Sequence, residues 1–153
     1  MIKLTSIFFV LALSAGILIS GCGGGDSTLS KSEYIQQADA ICKKSNEAEN
    51  REGHEYARKH ARSLEKMQFE VARAKVRINV ALPAVLKETK ELKALEAPKG
   101  DEKEIEAFLA GIEEAVEKAE NDLKSVEDDA RNPFNPVTKM AQKYGFKDCQ
   151  EVL

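Results

Sequence analysis

The chain has 153 residues, 23 basic and 26 acidic side chains, and a formal net charge of -3. That length suits one domain with a real hydrophobic core. The mild acidity argues against nucleic acid as a partner, because displacing counterions from phosphates needs clustered Lys and Arg. Both signs are interspersed, as on a solvated surface rather than in an acidic tail.

Met1-Ile2-Lys3 is a short positive start, followed by an apolar run from Ile7 to Ile19 that includes Ser14 and Gly16. Ser20-Gly21-Cys22 and three glycines, Gly23 to Gly25, come next. A basic start, an apolar stretch and small residues before a cleavage point describe a secretory signal. The run is short for a membrane-spanning helix, which needs about 20 apolar residues, and no basic flank follows it. Ile19-Ser20-Gly21-Cys22 resembles the bacterial lipobox: a branched apolar residue, two small residues and a cysteine. The resemblance implies cleavage between Gly21 and Cys22, with Cys22 as the mature N-terminus carrying a thioether-linked diacylglycerol. Ile19 departs from the commoner Leu. An ordinary secreted protein cut nearby, or an uncleaved anchor helix, is the alternative. On the lipoprotein reading, 1–21 is the signal peptide, 22–29 the lipidated cysteine and flexible tether, and 30–153 the helical domain. The implied partner is membrane lipid, on the extracytoplasmic side of the cell membrane. Two or more acyl chains, palmitate among them, would anchor stably, since each buried CH₂ contributes about 0.8 kcal/mol.

Three cysteines are present: Cys22, Cys42 and Cys149. An odd count in an exported chain calls for an explanation. Lipidation of Cys22 leaves Cys42 and Cys149 as a pair, and export places that pair where a disulfide persists. Such a bridge closes a loop of roughly a hundred residues and contributes up to about 4.7 kcal/mol in the chain-entropy treatment. The alternative is two free buried cysteines acting as small apolar residues.

After the polar tether, Ser30-Lys31-Ser32-Glu33 reads as a capping box that opens a first helix. Tyr34, Ala38, Ile41, Cys42 and Ser45 follow at helical spacing. The stretch from Asn46 to His60 is almost wholly polar, and Gly53 inside it suggests a helix end, a kink or a hairpin tip. A second helix carries Leu64, Met67, Val71, Ala74, Ile78, Ala81, Val85, Leu92 and Leu95 as a narrow apolar seam. Pro83 should kink or break it. Ala97-Pro98-Lys99-Gly100 is a turn, and Asp101 with Glu104 is the next capping pair. Ile105, Phe108, Leu109, Ile112, Val116, Ala119, Leu123 and Val126 form the stripe of a third helix. Asn132-Pro133-Phe134-Asn135-Pro136 is a breaker cluster, with Asn135 placed to cap a short fourth helix and Pro136 at its first position. Val137, Met140, Ala141 and Tyr144 line that helix, and Gly145 ends it. Phe146 and Cys149 return to the core. Strand alternation is missing, so the expected fold is an all-α, up-and-down bundle of three to four antiparallel helices.

Candidate chemistry is thin. His54 and His60, the two histidines, are six apart and fall on different helix faces, whereas zinc pairs sit at i, i+4. Glu47, Glu52 and Glu55 nearby offer oxygen ligands, but a mixed Glu, Arg, Lys and His stretch reads as a solvated face. Met67 and Met140 sit at apolar-stripe positions and read as core filler rather than haem ligands. Glu113-Glu114, Glu117, Glu120 and Asp128-Asp129 fall on an outer face, where the separated pKa values of catalytic acids do not arise. No GxSxG or phosphate loop occurs, and few aromatics offer stacking surfaces. The expectation is therefore no catalytic residue, no metal and no cofactor.

Leu29 to Cys42, Tyr144-Gly145-Phe146-Lys147-Asp148-Cys149, and the segment with Leu92, Leu95, Ala97 and Pro98 resemble a group of small exported actinobacterial proteins. Only the two ends are specific. The group supports the paired cysteines and brings no activity. The functional expectation is a membrane-tethered, non-enzymatic binding module for an envelope protein. The rival is a small-ligand or metal-binding lipoprotein with a pocket between helices near Pro83. An exposed apolar face favours the first, and a lined cavity with convergent polar groups favours the second.

Overall fold

The computed structural model describes residues 29–128 and 130–150. Residues 1–28, to which the signal, cleavage and lipidation readings at Gly21 and Cys22 refer, lie outside the described residues. Among the described residues all regular structure is helical, and no helix is long and apolar enough to cross a membrane.

Helix α1 spans Lys31–Leu64 and measures about 50 Å at 1.5 Å per residue. Its start is the expected capping box. The Ser30 hydroxyl accepts the Glu33 N–H at 3.3 Å, and the Glu33 carboxylate accepts the Ser30 N–H at 2.9 Å. The helix does not end or turn at Gly53. Glu, Ala, Arg and Lys around that glycine are good helix formers and absorb its cost of about 1 kcal/mol. The chain turns instead at Glu65–Gln68, so Leu64 closes α1 rather than opening a second helix.

Helix α2, Phe69–Val76, runs through a π turn, Arg77–Ala81, into helix α3, Leu82–Leu92. The expected break at Pro83 takes this form: Pro83 sits in the first turn of α3, directly after the π turn. The extra residue of a π turn shifts the phase of everything after it. The single apolar seam expected across this segment is therefore not realised. Val80, Ala81, Leu82, Val85 and Leu92 are buried, while Val71 and Ile78 are 46% and 47% exposed. Helix α2 buries no residue fully, and on α1 the last fully buried one is Cys42. The outer half of α1 and α2 thus form a thin hairpin, and the core lies toward the other end.

Helix α4, Glu102–Asn121, packs back along α3 and buries Ile105, Phe108, Leu109, Ile112, Ala115, Val116 and Ala119. Asp101 precedes it but makes no side-chain cap; Glu102 instead accepts the Gly100 N–H at 2.8 Å. Asp101 serves tertiary structure: it accepts the Tyr144 hydroxyl at 2.8 Å and lies 3.6 Å from Lys31 Nζ. Leu123 and Val126 do not continue α4. They sit on a 3₁₀ turn, Leu123–Glu127, whose start Asp122 caps by accepting the Lys124 N–H at 3.2 Å.

Helix α5, Asn135–Tyr144, includes Asn135 as a helical residue; it is not the cap. Phe134 occupies the cap position without a side-chain cap, and just before it the Asn132 side-chain oxygen accepts the Phe134 N–H at 2.9 Å in a tight turn. Gly145 ends the helix at φ 108°, a left-handed conformation that costs glycine nothing. A 3₁₀ turn, Asp148–Gln150, then meets α1. The result is an all-α, up-and-down bundle.

Its core holds Tyr34, Phe108, Tyr144 and Phe146, with ring centroids 4.9–6.2 Å apart. The disulfide Cys42–Cys149 joins the first helix to the last turn, with Cα atoms 5.1 Å apart. Beside it the buried Asp39 carboxylate accepts the backbone N–H groups of Lys147, Asp148 and Cys149 at 2.9–3.3 Å. That residue did not stand out in the sequence. An isolated acid on a helix carries no signal of the turn that will reach it from a hundred residues away.

Candidate functional site: the α1–α3 groove

Helices α1 and α3 leave a cavity of about 170 Å³ between them. Ile41 and Ala48 from α1, with Pro83 and Ala84 from α3, form its apolar walls. Ser45, Glu49 and Glu52 enter from α1, and Glu88 and Glu91 from α3. Lys44 and Lys87 stand at the rim. The site follows from local structure. A π turn rotates the residues after it, so that Glu88, which a regular continuation of α2 would not aim inward, meets α1. Pro83 has no amide to donate, which is tolerated in a first turn, and its ring forms a flat wall.

Glu88 is only 6% exposed. Burial pushes its carboxyl up to about 7; hydrogen bonding from the Ser45 side chain draws it down, and the neighbouring Glu49 and Glu91 carboxylates push it up further. Glu49 is raised as well, by burial, with Arg77 of the π turn pulling against that rise. Lys44 approaches Glu91 at 4.0 Å, but its own side chain is 77% exposed and reaches toward solvent. The base of the groove therefore holds a carboxyl, a hydroxyl and apolar carbon, with Lys44 and Lys87 at its exposed rim.

Of the candidate ligands near the histidines, Glu52 lines the groove, whereas His54 and His60 do not. His54 is exposed, and His60 is half-buried against the Tyr56 ring at 4.3 Å between centroids. Among the described residues no group of three or more His, Cys, Asp or Glu is placed to hold a metal ion. Met140 packs on the core, where its methyl group fills the space above Gly111. Met67 is half-buried in the turn after α1. Glu113, Glu114, Glu117 and Glu120 are exposed on α4, Asp128 pairs with Arg131 at 2.6 Å, and Asp129 lies outside the described residues. Cys42 and Cys149 are brought together in the disulfide.

A second feature is an exposed apolar row. Val71, Ile78 and Leu86, 44–47% exposed, recur at spacings of seven and eight along α2, the π turn and α3. One π turn absorbs the extra residue of the second spacing, so the three share an outward face. Phe69 at the start of α2 is 68% exposed, with the Arg73 guanidinium 5.5 Å from its ring centre.

No family model matches the chain, and no curated protein or solved structure matches it.

Proposed function

We propose that the chain is a lipid-anchored, extracytoplasmic, non-enzymatic binding module. It is held to the cell membrane through acylated Cys22 and engages an envelope protein through the outer face of α2 and α3. The observation that carries the interaction is the apolar row of Val71, Ile78 and Leu86, the large aliphatic side chains most left in water among the described residues. The lipobox-like Ile19-Ser20-Gly21-Cys22 supports the anchor. The disulfide supports an oxidising compartment, and it removes both described cysteines as nucleophiles.

The test combines chemistry and contact. Mass spectrometry of protein extracted from membranes should find a diacylglycerol on an N-terminal Cys22; a retained signal or another cleavage site refutes the anchor. A photo-crosslinking residue at Ile78 or Leu86 in cells should give one saturable adduct that disappears when Val71 becomes Asp. Crosslinking no stronger than from exposed Lys103 on α4 refutes the interface.

A second reading rests on the groove: a small-ligand pocket between helices, at the place where Pro83 marked it. Convergence of buried Glu88 with Ser45 and apolar walls supports it.

A further inference from the structure

We infer that the α1–α3 groove is a site for a small organic ammonium ion, held by the Glu88 carboxylate at the base and by apolar carbon along the walls. This rests on the pocket reading and goes beyond it by naming the ligand's chemistry.

The first argument is charge. Glu88 is withdrawn from water without a cation beside it. A buried carboxylate is costly unless it is paired and hydrogen-bonded. Ser45 offers one hydroxyl, while Glu49 and Glu91 add negative potential. The groove's own lysines line its rim but do not enter its base: Lys44 is 77% exposed and lies 4.0 Å from Glu91, and Lys87 is exposed. A ligand cation completes what the chain leaves open.

The second argument is size and lining. A cavity of about 170 Å³ is below the range of drug-sized ligands, which starts at about 300 Å³. It accepts a few carbons and a head group. Ile41, Ala48, Pro83 and Ala84 match an alkyl chain. An ammonium head brings three donors, which suits a carboxylate and a hydroxyl at the base. A bare metal ion suits the groove poorly, because no three ligating side chains converge among the described residues. The adjoining π turn also fits, since such turns within helices are frequent at functional sites.

Binding is coupled to a proton. Near neutral pH Glu88 is partly protonated. The ammonium ion enters, the carboxyl releases its proton to solvent, and the pair forms; no covalent bond changes. The charged groups facing this event are Lys44, Glu49 and Glu52 from α1, Lys87 and Glu91 from α3, and Arg77 from the π turn.

The experiment is calorimetric titration of the full chain, disulfide intact, with n-butylammonium, and with 1-butanol as the neutral control. Saturable binding of n-butylammonium is expected at pH 8, with affinity falling roughly thirtyfold at pH 5.5 and with release of close to one proton detected near pH 6 in buffers of different ionisation enthalpy. Glu88→Gln should abolish it, and Ala84→Leu, which fills the cavity, should abolish it independently. Binding of 1-butanol but not of n-butylammonium overturns the ammonium inference and leaves the pocket reading standing. Binding of neither overturns both. Binding of n-butylammonium that survives Glu88→Gln or Ala84→Leu places it elsewhere and overturns the inference.

Discussion

Substituting Glu88 by Gln should stabilise the fold above neutral pH and leave it unchanged in acid. In the unfolded chain this carboxyl loses its proton near its ordinary value of 4.5, and in the native fold only near 7. Between those values the native state binds more protons, so stability falls as the pH rises from 4.5 through 7 and levels off beyond. Below 4.5 both states are protonated and Glu88 contributes nothing. The full gap corresponds to about 3 kcal/mol at the linkage rate of about 1.4 kcal/mol per pH unit. Little of it is screened by water, because the group is 6% exposed. Glutamine keeps the shape and hydrogen-bonding capacity and cannot ionise. Urea unfolding of both proteins across pH 4 to 8.5, followed by helical circular dichroism, isolates the difference. The two stability curves should coincide at the acid end and diverge to about 3 kcal/mol at pH 8, with the variant above. Parallel curves, or divergence on the acid side, would refute the reasoning, since either would mean that Glu88 titrates like an exposed carboxyl.

Three further outcomes are expected. Replacing Cys42 and Cys149 together by Ala opens a link spanning 107 residues and should lower the unfolding free energy by roughly 2–5 kcal/mol; a loss under about 1 kcal/mol contradicts that. Asp39→Ala leaves the N–H groups of Lys147, Asp148 and Cys149 without their acceptor and should cost about 2–3 kcal/mol, with faster amide exchange confined first to the terminal turn. Gly53→Ala should stabilise by about 0.5–1 kcal/mol, because a Cβ there meets nothing within 4 Å; a destabilised variant would show that the α1–α2 hairpin needs the bare backbone at that point.

Much of the fold was legible because local and tertiary signals agree over most of the chain. The Ser30–Glu33 box, the Gly145 terminus and the α4 stripe from Ile105 to Ala119 each carry a short-range signature that the structure realises. Gly53 misled for a thermodynamic reason. A single glycine costs about 1 kcal/mol, less than the good helix formers on both sides supply, so punctuation lost to its context. Asp101 misled because a residue suited to capping is also suited to tertiary contact, and Asn135 because the helix takes in one residue more than its breaker cluster suggested. Asp101 spends its carboxylate on Tyr144 and Lys31, and the helix expected to start at an Asn135 cap starts one residue earlier, after Phe134.

The groove was half legible, and the reason is the π turn. Pro83 marked a disturbance between helices, and a pocket does lie against it. Glu88 gave no such mark. Any periodicity carried from Val71 and Ile78 across residues 77–81 assumes 3.6 residues per turn, and a π turn holds one more. That single residue moves Ile78 out of the seam and Glu88 into it. The exposed row on the outer face and the buried carboxyl on the inner one are thus two consequences of the same backbone event. A change that restores regular α-helix there should disturb both together. Deleting one residue within Arg77–Ala81 is the direct form of that change: it should rotate Leu86 and Glu88 together relative to Val71, exposing Glu88 and returning its titration to the ordinary carboxylate range.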